Sequence, residues 1–235
     1  MFNLYCEYFY SESEERRLEY DYCVTKNINS GIFDNIFLYV ASGLIPSYLL
    51  DYESAGKVRL IYDRSLSESR DNDVFCDSPI KRTTFKDLFS LSDGFCRADD
   101  INVICNLDIW FDDSIKLLDG RLSPEIAIGL SRWYESDDHY MVAGLHMDGK
   151  AAPGSNDVWA WMGECRLKDA DFCIGYTACD SKLMRSFLDH GYRVYNPAKS
   201  IRTWHRHKGR GPTPPMVDGP YWDVPLDHNT IEEVI

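Results

Sequence analysis

Apolar and polar positions along this chain follow two periods, one near two residues and one near 3.6, and together they predict short buried strands interleaved with amphipathic helices. Phe2 to Tyr10 is a β-rich run, and Ser11-Glu12-Ser13-Glu14 then has the form of a capping box, which predicts a helix reaching about Lys26. Ile36 to Val40 reads as a second buried strand, Tyr48 to Glu53 as a short helix and Val58 to Tyr62 as a third strand. This order predicts βαβ units and a largely parallel sheet. Leu66 to Asp77 is polar and reads as a loop over the surface or the mouth of a site, and Thr84 to Leu91 as a helix. Ile101 to Cys105 is an apolar run that ends in Asn106-Leu107-Asp108, so these polar groups fall at the C-terminal end of a central strand. In open α/β sheets ligands sit beyond that end.

In the second half, Ile126 to Trp133, Val158 to Met162 and Phe172 to Tyr176 read as short strands spaced by polar loops. Asp180 to His190 is expected as a helix, with Leu183, Phe187 and Leu188 on one face and Gly191 as its stop. Arg193 to Trp204 reads as a final strand leading into His205-Arg206-His207. The proline-rich tail from Gly209 reads as an extended strap that could fold over a site as a lid near Gly219-Pro220-Tyr221-Trp222. There is no internal repeat.

A chain of 235 residues, 44% of them apolar, can bury one α/β core without splitting. The expected architecture is therefore a single domain with a central, mostly parallel twisted sheet flanked by helices. The net charge of -13 opposes nonspecific binding of a polyanion, which disfavours nucleic acid as a partner. Met1 to Tyr10 lacks a leader pattern, and the longest apolar run, Ile36 to Ala41, is too short to span a bilayer, so a cytoplasmic location is expected. The eight cysteines fall mostly in apolar segments with no Cys-x-x-Cys pair, the pattern of reduced core residues.

Several residues carry candidate chemistry. Asp108, leaving a buried strand beside Asn106, is a hard oxygen ligand placed for Mg²⁺ or Mn²⁺, or else a cap for a short helix near Asp112-Asp113. His205 and His207 are one residue apart, so on an extended chain both rings face one side and could complete a metal site, with Mn²⁺ preferred by imidazole; the alternative is a polar surface strand. Arg202, Arg206, Lys208 and Arg210 form a dense basic strip in an acidic chain, either solvated or able to grip phosphate oxygens. Asp157, at the start of an apolar strand, could accept a proton or merely form a turn. Trp133, Trp159 and Trp161 could stack on a sugar ring or fill the core.

Taken in order, these pieces resemble the nucleotide-diphospho-sugar glycosyltransferases of the GT-A fold, specifically a small bacterial and viral group. The resemblance covers nearly the whole chain. It is carried by Asn106-Leu107-Asp108-Ile109-Trp110-Phe111-Asp112, Leu130-Ser131-Arg132-Trp133, Gly154-Ser155-Asn156-Asp157-Val158-Trp159, Ile174-Gly175 to Cys179-Asp180, Gly191-Tyr192-Arg193-Val194-Tyr195-Asn196-Pro197 and His205-Arg206-His207. The resemblance implies a sugar transferred to a hydroxyl from a nucleotide-diphosphate donor, UDP-sugar foremost, with Mn²⁺ or Mg²⁺. Asp108 would match the last Asp of the Asp-x-Asp motif, whose first position here is Asn106, and the His pair would supply a further ligand. Asp157 would be the base of an inverting reaction. Arg132, Trp133, Trp159 and Asp180 would line the acceptor pocket, and Arg82, with Arg202 and Arg206, would contact the donor.

Residues 1–113 would hold the nucleotide sugar, 114–208 the acceptor and catalytic groups, and 209–235 the strap. A glycan, a lipid-linked saccharide, a protein or a hydroxylated nucleobase in DNA would each serve as acceptor, and for a viral protein the location would be the host cytoplasm. A metal-dependent phosphohydrolase or nuclease, and a noncatalytic carbohydrate-binding protein, are the rival readings of the same residues.

Overall fold

The structure, a computed structural model, describes residues 1–42, 44–62, 82–135, 140–142, 156–206 and 229–234. Among them a seven-stranded sheet runs β10-β6-β9-β4-β1-β2-β3, formed by β1 (Phe2–Phe9), β2 (Asn35–Ser42), β3 (Arg59–Tyr62), β4 (Ile101–Cys105), β6 (Ile126–Ser131), β9 (Asn156–Met162) and β10 (Arg193–Tyr195). All neighbours pair in parallel except β9, which runs antiparallel to both β4 and β6. A second, four-stranded sheet has the order β5-β11-β7-β8, from β5 (Ile109–Phe111), β7 (Trp133–Glu135), β8 (Tyr140–Val142) and β11 (Thr203–His205). The helices are α1 (Glu14–Asn29), α2 (Ser47–Ser54), α3 (Phe85–Phe95), α4 (Cys179–Asp189) and α5 (Ile231–Val234), with a 3₁₀ turn over Asp113–Leu118. No helix among the described residues is long and apolar enough to cross a membrane.

The central strand β4 is buried at all five positions, as a run covered on both faces must be; its one polar member, Asn102, donates to the Gly163 carbonyl at 2.9 Å. Its two faces feed separate core clusters. Leu4, Leu38, Val103, Ile128 and Ala160 belong to one, and Tyr5, Phe37, Ile104, Trp159 and Phe187 to the other. In the second cluster Trp159 lies over Gly129, where an added Cβ would fall 2.8 Å from the indole, so this glycine supplies the room for the ring.

Local signals set the helix boundaries. Ser13, not Ser11, caps α1: its hydroxyl accepts from the Arg16 amide, and with Arg16 at the third helical position the predicted Ser11–Glu14 box does not form. Tyr20, Cys23, Val24, Asn27 and Ile28 then share the buried face. Asn27 donates to the Ile109 carbonyl at 2.9 Å and accepts from the Phe111 amide at 3.1 Å, docking β5 onto α1. The capping box is found at α3, where Thr84 and Asp87 satisfy each other's backbone amides.

Three predicted strands are revised. Ile126 to Trp133 breaks at Arg132 into β6 and β7, which belong to different sheets. Phe172 to Tyr176 forms turns with one bridge to Thr84, and its carbonyl and amide groups bond to residues 83–86 instead of a ladder. Arg193 to Trp204 is interrupted after Tyr195, because the carbonyl of Pro197 accepts from Ser200 and Ile201 in a turn. The expected loop at Leu66 to Asp77 and most of the strap, with its proposed lid, lie outside the described residues. The strap's last residues form the short helix α5 and pair with 196–199 through Asn229.

Candidate active site

One edge of the large sheet gathers the polar groups, and the reason is the direction of β9. Register pairs Cys6 of β1 with Cys105 of β4, so Glu7, still within β1, comes at the level where β4 has ended and Asn106 follows. Because β9 is antiparallel and pairs Val158 with Cys105, its beginning, Asp157, meets the same edge. Strand β6 ends there as well, delivering Arg132. The small sheet completes the arrangement: β5 and β11 pair Ile109 with His205, and the Arg206 amide donates to the Asp108 carbonyl at 3.0 Å. Residues 97 apart in sequence thereby touch, with His205 Nε2 3.1 Å from Asp108 Oδ2.

Asp108 is buried, and Arg16 of α1 donates to the same Oδ2 at 2.8 Å. Burial alone would raise its pKa, but the hydrogen bonds and charges of His205 and Arg16 outweigh it and hold the carboxyl below the usual carboxylate range. A carboxylate and an imidazole set against each other fit two positions in the shell of Mn²⁺ or Mg²⁺, the remainder being open to diphosphate oxygens and water. Among the described residues no cluster of three or more metal-ligating side chains occurs. His207 lies outside the described residues.

A cavity of about 150 Å³ opens between these groups, lined by Glu7, Phe9, Arg16, Tyr20, Arg82, Asn106, Asp108 and Gly175 among others. Arg82, expected at the donor, does line it, but its guanidinium forms a two-pronged pair with Glu7 at 2.6 to 3.1 Å, donates to the Ile174 carbonyl and covers the Phe9 ring at 4.3 Å. Gly175, at φ +74°, allows this approach, since a Cβ there would lie 3.0 Å from the guanidinium. The basic strip is placed differently. Arg202 is exposed and paired with Asp112 at 3.2 Å, and Arg206 lies over the Tyr22 ring at 4.1 Å; neither lines the cavity. A larger cavity of about 580 Å³ lies on the opposite flank of α1, beside Trp110, with neither Asp108 nor Asp157 in its lining. Asp112, not Asp108, caps the 3₁₀ turn, which removes the structural alternative for Asp108.

The acceptor-side residues divide. Asp157 is buried, and both its oxygens accept from Arg132 Nη1 at 3.0 Å while Oδ1 also accepts from Asn106 at 2.9 Å. A carboxylate held in this way has its lone pairs committed to a cation. Asp180 stands at the head of α4, behind Ala178, whose φ of 66° makes it the one non-glycine among the described residues with positive φ. Backbone strain of this kind costs about 1–2 kcal/mol and concentrates at functional sites. Burial and the nearby charge of Asp157 push the Asp180 carboxyl well above the usual carboxylate range, against smaller opposing effects of Cys179 and Arg132. Trp133 is half-buried and donates to the Ala198 carbonyl at 2.9 Å. Trp159 is 1% exposed and stacked on Phe187, so it fills the core and offers no face to a sugar. Trp161 is likewise core. Sequence reasoning missed Arg16, Glu7 and Tyr20. For Arg16 the available signal was its spacing of four and seven residues from the inward-facing Tyr20 and Cys23.

No protein-family model matches the sequence, and no curated protein does so. Solved structures do match. The mannosyltransferase PcManGT from Pyrobaculum calidifontis, in complex with GDP-Man and Mn²⁺, aligns over 89% of this chain with a TM-score of 0.52 at 12% identity. TarS 1–349 from S. aureus, in complex with UDP-GlcNAc, aligns over 89% with a TM-score of 0.52 at 8% identity. The fold is that of the GT-A nucleotide-sugar glycosyltransferases. The chain spans 58% and 59% of the lengths of those two structures.

Proposed function

We propose that this GT-A-like chain transfers a sugar from a nucleotide-diphosphate donor, UDP-sugar foremost, to an acceptor hydroxyl with inversion at the anomeric carbon. The observation that carries this reading is the convergence, at one sheet edge, of Asp108 hydrogen-bonded to His205 and of Asp157 held by Arg132 and Asn106. In this reading residues 1–113 supply most of the donor side and 114–208 the acceptor side, with His205 and Gly175 crossing to the donor side. The fold likeness to structures carrying GDP-Man with Mn²⁺ and UDP-GlcNAc supports the donor class.

In this reading the base is Asp180 in place of Asp157. An effective general base has a proton affinity near the working pH, and the raised pKa of Asp180 moves it in that direction. Asp157 is tied to Arg132 and serves instead to raise the affinity of Asp180 for a proton and to fix Arg132 at the acceptor face. The acceptor hydroxyl gives its proton to Asp180 as its oxygen attacks the anomeric carbon, and the bond to the nucleotide diphosphate breaks on the opposite side. Asp108 and His205 would hold Mn²⁺ or Mg²⁺, which supplies positive charge to the diphosphate leaving group. Arg82, paired with Glu7 at the cavity wall, shapes the nucleotide end.

Thermal unfolding with UDP, GDP and their sugar conjugates, with and without Mn²⁺, tests the donor site on the wild type and on Asp108→Ala. A midpoint rise with one nucleotide that depends on Asp108 supports the reading. Absence of any rise, together with phosphate release from the nucleotide in the absence of acceptor, supports a hydrolase instead.

A further inference from the structure

Arg16 is the one charged group on the cavity wall to which the proposed reaction gives no task. Its guanidinium donates to Asp108 Oδ2 at 2.8 Å and to the Tyr20 hydroxyl at 3.1 Å, is paired with Glu19, and lies over the Tyr20 ring at 4.7 Å. The oxygen it occupies is the one that His205 faces at 3.1 Å. A divalent ion held by Asp108 and His205 would be drawn to that oxygen, and two cations crowded onto one carboxylate oxygen repel each other. The cavity beside it measures about 150 Å³, below the roughly 300–1,000 Å³ of typical small-molecule sites, and the guanidinium forms part of its wall.

We propose that Arg16 is an internal counter-ion that holds Asp108 while the site has no donor, and that a nucleoside diphosphate draws the guanidinium off the carboxylate and onto its phosphate oxygens, leaving Asp108 to the metal ion. Guanidinium matches phosphate oxygens as well as it matches carboxylate, with two parallel N–H donors. One movement then enlarges the cavity, places a cation on the diphosphate and frees a metal ligand. The diphosphate and the divalent ion must in consequence strengthen each other's binding, and the coupling is reciprocal. This rests on the reading of Asp108 and His205 as metal ligands.

The test is Mn²⁺ binding followed by the electron paramagnetic resonance of the free ion, on wild type, R16Q, R16K and D108N, each alone and with saturating UDP or GDP. Wild type should bind Mn²⁺ at least tenfold more tightly with one of the nucleotides than alone. R16Q should bind Mn²⁺ alone roughly tenfold more tightly than wild type, the scale of effects seen when groups around metal ligands are changed, and the nucleotide should add little. R16K, which keeps a cation beside Asp108, should return toward wild type, and circular dichroism should show R16Q folded. Wild-type coupling that is lost in D108N but unchanged in R16Q overturns the inference and leaves the metal site standing. No Mn²⁺ binding to wild type or R16Q under any condition overturns both.

Discussion

Replacing Asp180 by Asn should make the protein more stable and far less active; the raised proton affinity sets the sign of the first effect and the proposed base role that of the second. Burial and the charge of Asp157 raise the proton affinity of Asp180 in the folded chain, so ionising it there costs more than in the unfolded chain. A raised pKa contributes stability that is fully present below the unfolded value of about 3.9 and is lost as the pH climbs through the folded value. The neutral amide cannot ionise and escapes that loss. Each tenfold difference in proton affinity between the folded and unfolded chain is worth about 1.4 kcal/mol. At about 2–4 °C per kcal/mol for a chain of this size, that is roughly 3–6 °C of midpoint. Against it stands the favourable position of a carboxylate in the first turn of α4, worth about 0.3–1 kcal/mol. A single tenfold difference in proton affinity, about 1.4 kcal/mol, already exceeds it. Calorimetry should therefore find Asp180→Asn and wild type alike near pH 3.5 and the variant increasingly ahead toward pH 8, while its transfer rate falls by about 10²–10⁴. A variant that is less stable at pH 8, or that retains near-full activity, refutes the proposed assignment of Asp180 as a half-buried base of raised proton affinity.

Asp157→Asn should act in the opposite sense on stability, since it strands Arg132 beside a neutral amide; with side-chain exposures of 6% and 26% for the pair, a loss of about 1–3 kcal/mol is expected in denaturant unfolding. In the same variant the acid limb of the rate against pH should move to lower pH, because Asp180 loses a like charge and keeps Arg132. Gly175→Ala should cost about 1–2 kcal/mol from the positive φ alone, and by pushing on the Arg82 guanidinium it should weaken nucleotide binding in calorimetric titration more than Gly56→Ala, whose positive φ faces open space. Gly129→Ala, with a Cβ 2.8 Å from the Trp159 ring, should lose about 1–3 kcal/mol in thermal unfolding without changing nucleotide affinity.

What could be seen in the sequence, and what could not, follows from how far each signal reaches along the chain. Largely apolar runs such as Ile101 to Cys105 and Val158 to Met162 declare themselves as central strands because both faces are covered. The polar groups at their ends, Asp108 and Asp157, could be marked for the same reason. Phe172 to Tyr176 misled because Phe172 and Ile174 are buried at alternate positions, which imitates a strand, although a turn seats both side chains. The tryptophans carried no signal of their side: Trp159 lies in the core because Gly129 opposite it is small, a pairing visible only once β6 and β9 are in register.

The roles of the two carboxylates depended on pairings that no local pattern encodes. Asp157 looked like a base because it opens a strand at the catalytic edge, and nothing nearby in sequence announces that Arg132, 25 residues earlier, closes on both its oxygens. That ion pair is what separates the two acids. The guanidinium holds both oxygens of Asp157, while burial and the nearby Asp157 carboxylate make Asp180 hold its proton more tightly. On the donor side the same logic places Arg16 on Asp108. The ion pairs at this edge thus give its carboxylates different partners, and the proposed function rests on that difference: Asp108 with Arg16 and His205, Asp157 with Arg132, and Asp180 with its raised proton affinity.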